Sequence, residues 1–268
     1  MVTVSGKGLR RLLAVTVLLF AVIFINHQFS YIDRFFLAGE VSESLNIIAG
    51  CASGILEPLN GSDPVVDSRI PNIVHQIWKT NDVRTYSTKI EASRDSWSDL
   101  FEPLNYTVKL WTDDAILHLI KHKYSWILST YEAYPQNIQR ADIARLLVIH
   151  AEGGIYADLD VYPTSANSIQ CLQDFGLQAI FAPTASMLGL SNHFFMAKRG
   201  SPFLQWALYE AKRRGGVASR HILSPYLQVF WSTGPTMVTA AFRKYAWLYG
   251  RSYGTRQGGH GTGQTGGC

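Results

Sequence analysis

The chain has no strong basic stripe, few cysteines and no long apolar run beyond its N-terminus, and each shortage excludes something. The formal net charge is only +4, and Lys7, Arg10 and Arg11 account for much of it. Nucleic-acid binders carry a far stronger basic face, so no nucleic-acid partner is expected. Of the 3 cysteines, Cys268 falls in the terminal segment. That leaves Cys51 and Cys171 as the one pair an oxidising compartment would join, with two buried free thiols as the alternative. No small-x-small cleavage site follows the apolar run 12–25 at Asn26-His27-Gln28-Phe29. An uncleaved anchor extended to residue 31 is therefore favoured over a cleaved signal peptide. No side chain stands out as a covalent nucleophile.

What is present suffices for one sizeable core, since 47% of the 268 residues are hydrophobic and 12% aromatic. The economical organisation is a cytosolic tail (1–11), a membrane anchor (12–31), a stem (32–68) containing Pro58, Gly61 and Pro64, one catalytic domain (69–250) and a glycine-rich tail (251–268). Basic residues ahead of the apolar run put that end in the cytosol and the remainder in the lumen. The sequons at Asn60 and Asn105 are compatible with a lumenal domain. The run 261–266 matches a dinucleotide fingerprint by letter alone, because no strand precedes it and the glycine-rich tail builds no core.

Within 69–250 strands alternate with helices, which predicts an α/β domain with its ligand at the carboxyl ends of the strands. Strands are expected over 73–78 and 106–111, and a helix starts at Thr112, an N-cap followed by Asp113 and Asp114. A second helix is expected over 138–151, closed by Gly153 with positive φ. Asp142 and Arg145 share a face of that helix. They form either an intrahelical ion pair or, on so apolar a helix, functional charges. The alternation over 155–161 predicts a half-buried strand with Tyr156, Asp158 and Asp160 on one side, the two aspartates rooted about 7 Å apart. Such a pair suits a hard divalent cation. Trp78 falls near a strand end, either to stack on a ligand or to fill the core. Ser201 and Pro202 open a further helix that Gly215 closes. The basic residues Lys198, Arg199, Lys212, Arg213, Arg214 and Arg220 either complement the end of that helix or face an anionic lipid or phosphate.

The run 139–160, together with Ile70-Pro71-Asn72-Ile73-Val74-His75-Gln76-Ile77-Trp78, resembles the catalytic signature of glycosyltransferase family 32. Its DxD element is similar to that of metal-dependent transferases with the GT-A fold. The resemblance covers about 69–250 and extends to Leu110-Trp111-Thr112-Asp113, Gly189-Leu190-Ser191-Asn192 and Ser232-Thr233-Gly234-Pro235. It implies a Rossmann-like nucleotide-sugar transferase domain, most similar to fungal mannosyl phosphorylinositol ceramide synthases. It further implies that Asp160 binds Mn2+ or another divalent cation and that Asp158 bridges metal, ribose and donor sugar. Asp142 and Arg145 would bind donor sugar or diphosphate, Trp78 the base, and Asn192 or His193 would lie near donor or acceptor. The implied reaction is retaining transfer of mannose from GDP-mannose to inositol phosphorylceramide in the Golgi membrane, or the endoplasmic reticulum. A regulatory membrane subunit is an admissible partner. The alternative acceptor is a protein N-glycan, extended by α-1,6-mannosyl transfer. Family members usually carry a further motif with Trp and His or Asp downstream, and ceramide-linked members carry further membrane segments. Neither is in this sequence, which points to a shortened C-terminus and keeps a non-catalytic nucleotide-sugar-binding subunit as another alternative. A glycosidase pairing Asp158 with Asp160 is disfavoured, because neighbours on one strand do not flank a scissile bond.

Overall fold

A computed structural model describes residues 6–30, 69–83, 87–184 and 189–257. The expected stem 32–68 and residues 258–268 of the tail lie outside the described residues. After α1 (Gly6–Ser30) come β1 (Ile73–Ile77), α2 (Thr88–Phe101), β2 (Thr107–Trp111), α3 (Asp113–Lys123), α4 (Ser125–Glu132), α5 (Asn137–Glu152) and β3 (Gly154–Ala157). They are followed by α6 (Ala166–Asp174), β4 (Ala179–Pro183), β5 (Leu190–Ala197), α7 (Pro202–Arg214), α8 (Pro225–Ser232) and α9 (Pro235–Gln257). Helix α9 thus runs past Gly250, where the tail is expected to begin.

The α/β expectation holds. The five strands form one sheet in the order β2-β1-β3-β5-β4. β1 is parallel to β2 and β3, with Ile77 opposite Trp111 and Val74 opposite Ile155. β5 is antiparallel to both β3 and β4. One apolar cluster joins Ile143, Leu146, Leu147 and Ile149 of α5 to Tyr156, Phe195, Leu204, Leu208, Met237 and Val238. A second lies on the other face, where Val74, Ile155, Ala157 and Met196 meet Trp97 and Phe101 of α2 and Ile169 of α6. The period-2 alternation of β-strands distributes these side chains, so the sheet is covered on both sides.

Two expectations need correction. The strand predicted over 155–161 ends at Ala157, and its four residues are buried on both faces rather than one. Asp158 N–H still donates to His193 O (2.9 Å), but Val161 N–H folds back onto Asp158 O (3.0 Å), so the DxD segment is a turn. The Val161 carbonyl is taken by Ser93 Oγ and Trp97 Nε1, which anchors the turn to α2. The two aspartates are therefore not placed by strand alternation. Ser201 does precede α7, but its side chain makes no capping bond.

Gly153 closes α5 with φ +70° as predicted, and Gly154 follows at φ +108°. A Cβ on Gly154 would sit 2.5 Å from Ile73 O, and one on Gly153 would sit 2.6 Å from Arg199 N. Only glycine allows β3 to start this close to β1. Thr112 caps α3 by accepting from Ala115 N–H (3.2 Å). Cys171 is disulfide-bonded, and its expected partner Cys51 lies outside the described residues. Among the described residues, Gly8–Gln28 of α1 is the one segment long and apolar enough to cross a membrane.

Candidate active site

Parallel strands β1 and β3 end side by side, so Trp78 and Asp158, each one residue past a strand, occupy the same edge of the sheet. Trp78 N–H extends the ladder to Trp111 O (2.9 Å). Its side chain is partly buried and belongs to neither apolar cluster. Asp160 is exposed at the turn, and Asp158 is half-buried behind it.

Arg145 binds this edge to α5. Its Nη1 donates to Asn192 O (2.9 Å) and lies 3.3 Å from Asp158 Oδ2, while Nη2 lies 3.4 Å from Asp142 Oδ1. Its guanidinium carbon stands 5.2 Å from the centre of the Tyr156 ring, and the Tyr156 hydroxyl donates to Asp158 Oδ1 (2.6 Å). Asp142 is 4% exposed and accepts from Asn192 Nδ2 (3.0 Å) and from Thr233 Oγ1 (2.8 Å). The Asp142–Arg145 contact is thus one link in a network spanning α5, β3, β5 and the end of α8. Asn192 lies within strand β5 rather than in a loop. His193 points the other way, exposed, with its Nδ1 bonded to Ser191 Oγ.

Burial raises the Asp142 carboxyl, against which Arg145 and the hydroxyl and amide donors pull it down. Burial opposes the Arg145 charge, but Tyr156, Asp142, Asp158 and Asp160 outweigh it and hold the guanidinium above its ordinary value. A carboxylate and a fixed cation that depend on each other in a dry site cannot lose one member cheaply. The site thus holds a rigid positive charge next to two accessible carboxylates.

Three neighbours escape a reading of the sequence. Thr233, visible there only as part of a motif, hydrogen-bonds the Asp142 carboxylate. His75 donates through Nε2 to Gly153 O (2.9 Å) and accepts at Nδ1 from Trp111 Nε1 (3.0 Å), which fixes a neutral tautomer. Gln76, fully buried beside the end of β1, has neither amide atom hydrogen-bonded. The signal for Gln76 is a polar residue at an inward position of a strand, which sequence alone cannot tell from an edge position.

Among the described residues no group of three His, Cys, Asp or Glu side chains converges as a self-sufficient metal cage. Asp158 and Asp160 offer hard oxygen donors at the rim, the set that suits a cation sharing its shell with phosphate oxygens and water. The residues fit a divalent ion that arrives with a diphosphate.

Two members of the basic cluster, Arg213 and Arg214, are tied into the fold. Arg213 and Arg214 of α7 and Lys244 of α9 all bond Glu210, and Arg214, 2% exposed, also donates to Trp231 O (2.9 Å). Burial raises the Glu210 carboxyl, but these bonds hold it at about 2. The pair Arg213–Arg214 is therefore not a free patch for anions.

Residues 87–175, from the start of α2 to just past α6, match the family model described as glycosyltransferase sugar-binding region containing DXD motif. The match contains Asp142, Arg145, Asp158 and Asp160. The chain carries a DXD glycosyltransferase region. Among curated proteins, it is 34% identical to inositol phosphoceramide mannosyltransferase 3 of Schizosaccharomyces pombe over 178 residues, covering 65% of this chain and 46% of that one. It is 28% identical to inositol phosphoceramide mannosyltransferase 1 of the same organism over 214 residues, 79% of this chain and 62% of that one. The DXD chain thus spans about half the length of these relatives. Among solved structures, the PaToxG glycosyltransferase aligns with a TM-score of 0.47 and 21% identity, covering 70% of this chain and 78% of that one.

Proposed function

We propose that this chain is a membrane-anchored, metal-dependent mannosyltransferase that moves mannose from GDP-mannose to inositol phosphorylceramide in the Golgi lumen, with retention at the anomeric carbon. The observation that carries the reading is the Arg145-centred network, which sets a buried cation beside Asp158 and Asp160 within the matched DXD region. The acceptor follows from the names of the two yeast relatives.

In this reading Asp160 and Asp158 would hold a divalent cation, which would supply positive charge against that building on the outgoing diphosphate. Arg145 adds a second positive charge that needs no reorientation during the reaction, because its hydrogen-bond partners already fix it. Asp142 has both oxygens engaged by Asn192, Thr233 and Arg145, and its remaining lone pairs accept from donor-sugar hydroxyls. Trp78 stacks on the base, and Asn192 orients Asp142 from β5.

The test is to incubate the full chain in mixed micelles with inositol phosphorylceramide and a panel of nucleotide sugars, with Mn2+ and with chelator. The expected result is metal-dependent label transfer from GDP-mannose to the lipid. Donor binding without turnover would indicate a non-catalytic subunit. Transfer to soluble mannan and none to lipid would indicate an N-glycan enzyme.

A further inference from the structure

An exposed apolar feature lies on and beside α8. Leu223 and Tyr226 are 70% and 71% exposed, and Ile138 at the start of α5 is 50% exposed. A groove of about 330 Å3 adjoins them, lined by Gln136, Ile138, Pro225, Tyr226, Val229 and Phe230. Tyr226 stacks on Phe230 with ring centres 4.4 Å apart, so the wall is preset. Contiguous apolar surface of this kind marks a contact site rather than ordinary surface scatter.

What covers it is indicated by α1. That helix, apolar and exposed along its length, ends against this same face. Gln28 Nε2 donates to His221 O (3.0 Å), and Leu223 N–H donates to Gln28 Oε1 (3.3 Å). The two bonds join the end of a membrane-length helix to the loop that leads into α8. A helix that leaves the bilayer there brings Leu223 and Tyr226 to the level where headgroups meet acyl chains. Tyrosine is favoured at that depth.

The groove also adjoins the candidate active site. Behind it, Gln139 Nε2 donates to Ser232 Oγ (2.7 Å), and one turn further along α5 Asp142 accepts from Thr233. A lipid whose chain lies in the groove has its headgroup within reach of the network around Asp142.

We infer that the α8 face rests on the bilayer and that the groove between Ile138, Tyr226 and Phe230 takes a hydrocarbon chain of a membrane lipid, the acceptor included. The acceptor half of the inference rests on the function proposed above, whereas the membrane contact stands without it.

The experiment uses the full chain in phosphatidylcholine vesicles with and without brominated acyl chains. Tyr226→Trp and Leu223→Trp each add an indole at the face, and Asn167→Trp adds one to exposed α6 on the opposite layer of the sheet. Emission beyond that of the wild type, which has 7 native tryptophans, is compared between the two vesicle types. The added emission of the 226 and 223 variants is lost on bromination and that of the 167 variant is retained. Retention at both 226 and 223 overturns the inference, and retention in a chain that runs as a dimer assigns the face to a second copy instead. Quenching together with no transfer to lipid upholds the membrane contact and refutes the acceptor reading. Where transfer occurs, Phe230→Ser raises the apparent KM for the lipid several-fold and leaves that for the nucleotide sugar unchanged. Equal KM for the lipid in that variant removes the groove from acceptor binding.

Discussion

Arg145 is the point on which the charges of the site converge, and its planar fork is what the geometry uses. Its Nη1 donates to Asn192 O and faces Asp158, while Nη2 faces Asp142. Lysine keeps the charge but cannot meet three partners in a plane. Arg145→Lys is expected to lower kcat by on the order of 10²-fold with the fold retained, as for loss of a positioned electrostatic group. Near-wild-type turnover would reduce the network to a structural role. Asp160 is exposed, so Asp160→Ala should leave thermal stability unchanged and abolish metal-dependent transfer. Gln76 offers a sharper contrast. A buried amide with no partner costs about 1–3 kcal/mol, so Gln76→Leu should raise or preserve the melting temperature. If the amide serves the donor, the same variant binds GDP more weakly by calorimetry. Unchanged GDP affinity would leave the amide without a ligand role. The charged members of the site were legible because a carboxylate or guanidinium on an apolar helix, or a doubled aspartate, is improbable without a use. Gln76, His75 and Thr233 were not, because their meaning depends on which strand or helix end lies opposite.

At the scale of elements, the site is a clasp between α5, β3, β5 and the α8–α9 corner. Thr233→Val is close in shape and removes the hydroxyl from Asp142, leaving a buried carboxylate short of a donor. A loss of about 1–3 kcal/mol is expected in urea unfolding, with impaired turnover at neutral pH. Two other elements set the response to acid. Burial lowers His75 from 6.5 to about 4, so as pH falls from 6.5 to 4 the unfolded chain takes up a proton that the folded chain refuses, and stability declines. Glu210, held at about 2 against an ordinary 4.5, adds its loss between pH 4.5 and 2 as the bonds to Arg213, Arg214 and Lys244 break. Denaturation midpoints measured across pH 7 to 4 should therefore slope, and His75→Leu should flatten that slope while lowering stability at pH 7. The element boundaries explain what the sequence could and could not reveal here. Strands β1 and β2, helix α5 and the caps at Thr112 and Gly153 follow from local pattern and chemistry. The turn at Asp158 does not, because the alternation continues through it and only long-range bonds from Ser93 and Trp97 to Val161 end the strand. In the same way the basic run on α7 reads as a surface until Glu210 is seen to engage Arg213 and Arg214 together with Lys244 of α9.

For the whole molecule, the arrangement of rim carboxylates, inner cation and tethered helix implies that binding events are coupled. Two carboxylates make a poor metal cage alone and a good one once a diphosphate completes the shell. Mn2+ titrated into the full chain should bind weakly, and GDP should tighten it markedly; equal affinity with and without GDP would place the ion elsewhere. Coupling also acts between the membrane and the reaction. Helix α1 is bonded to the loop before α8 through Gln28, so on the function proposed above it would both concentrate the enzyme on the lipid surface and orient the site toward it. Removing residues 1–30 takes away the anchor, while the apolar clusters around the sheet contain no α1 residue and should keep the domain folded. Transfer to vesicle-embedded inositol phosphorylceramide should then fall far more than hydrolysis of GDP-mannose, because tethering raises the effective concentration of a lipid acceptor and not of a soluble donor. Fusing an unrelated single-span helix should restore local concentration but not the Gln28 clasp. Partial recovery therefore separates the two contributions: full recovery reduces α1 to a tether, and a persistent deficit reports the orientation that the His221 and Leu223 contacts impose.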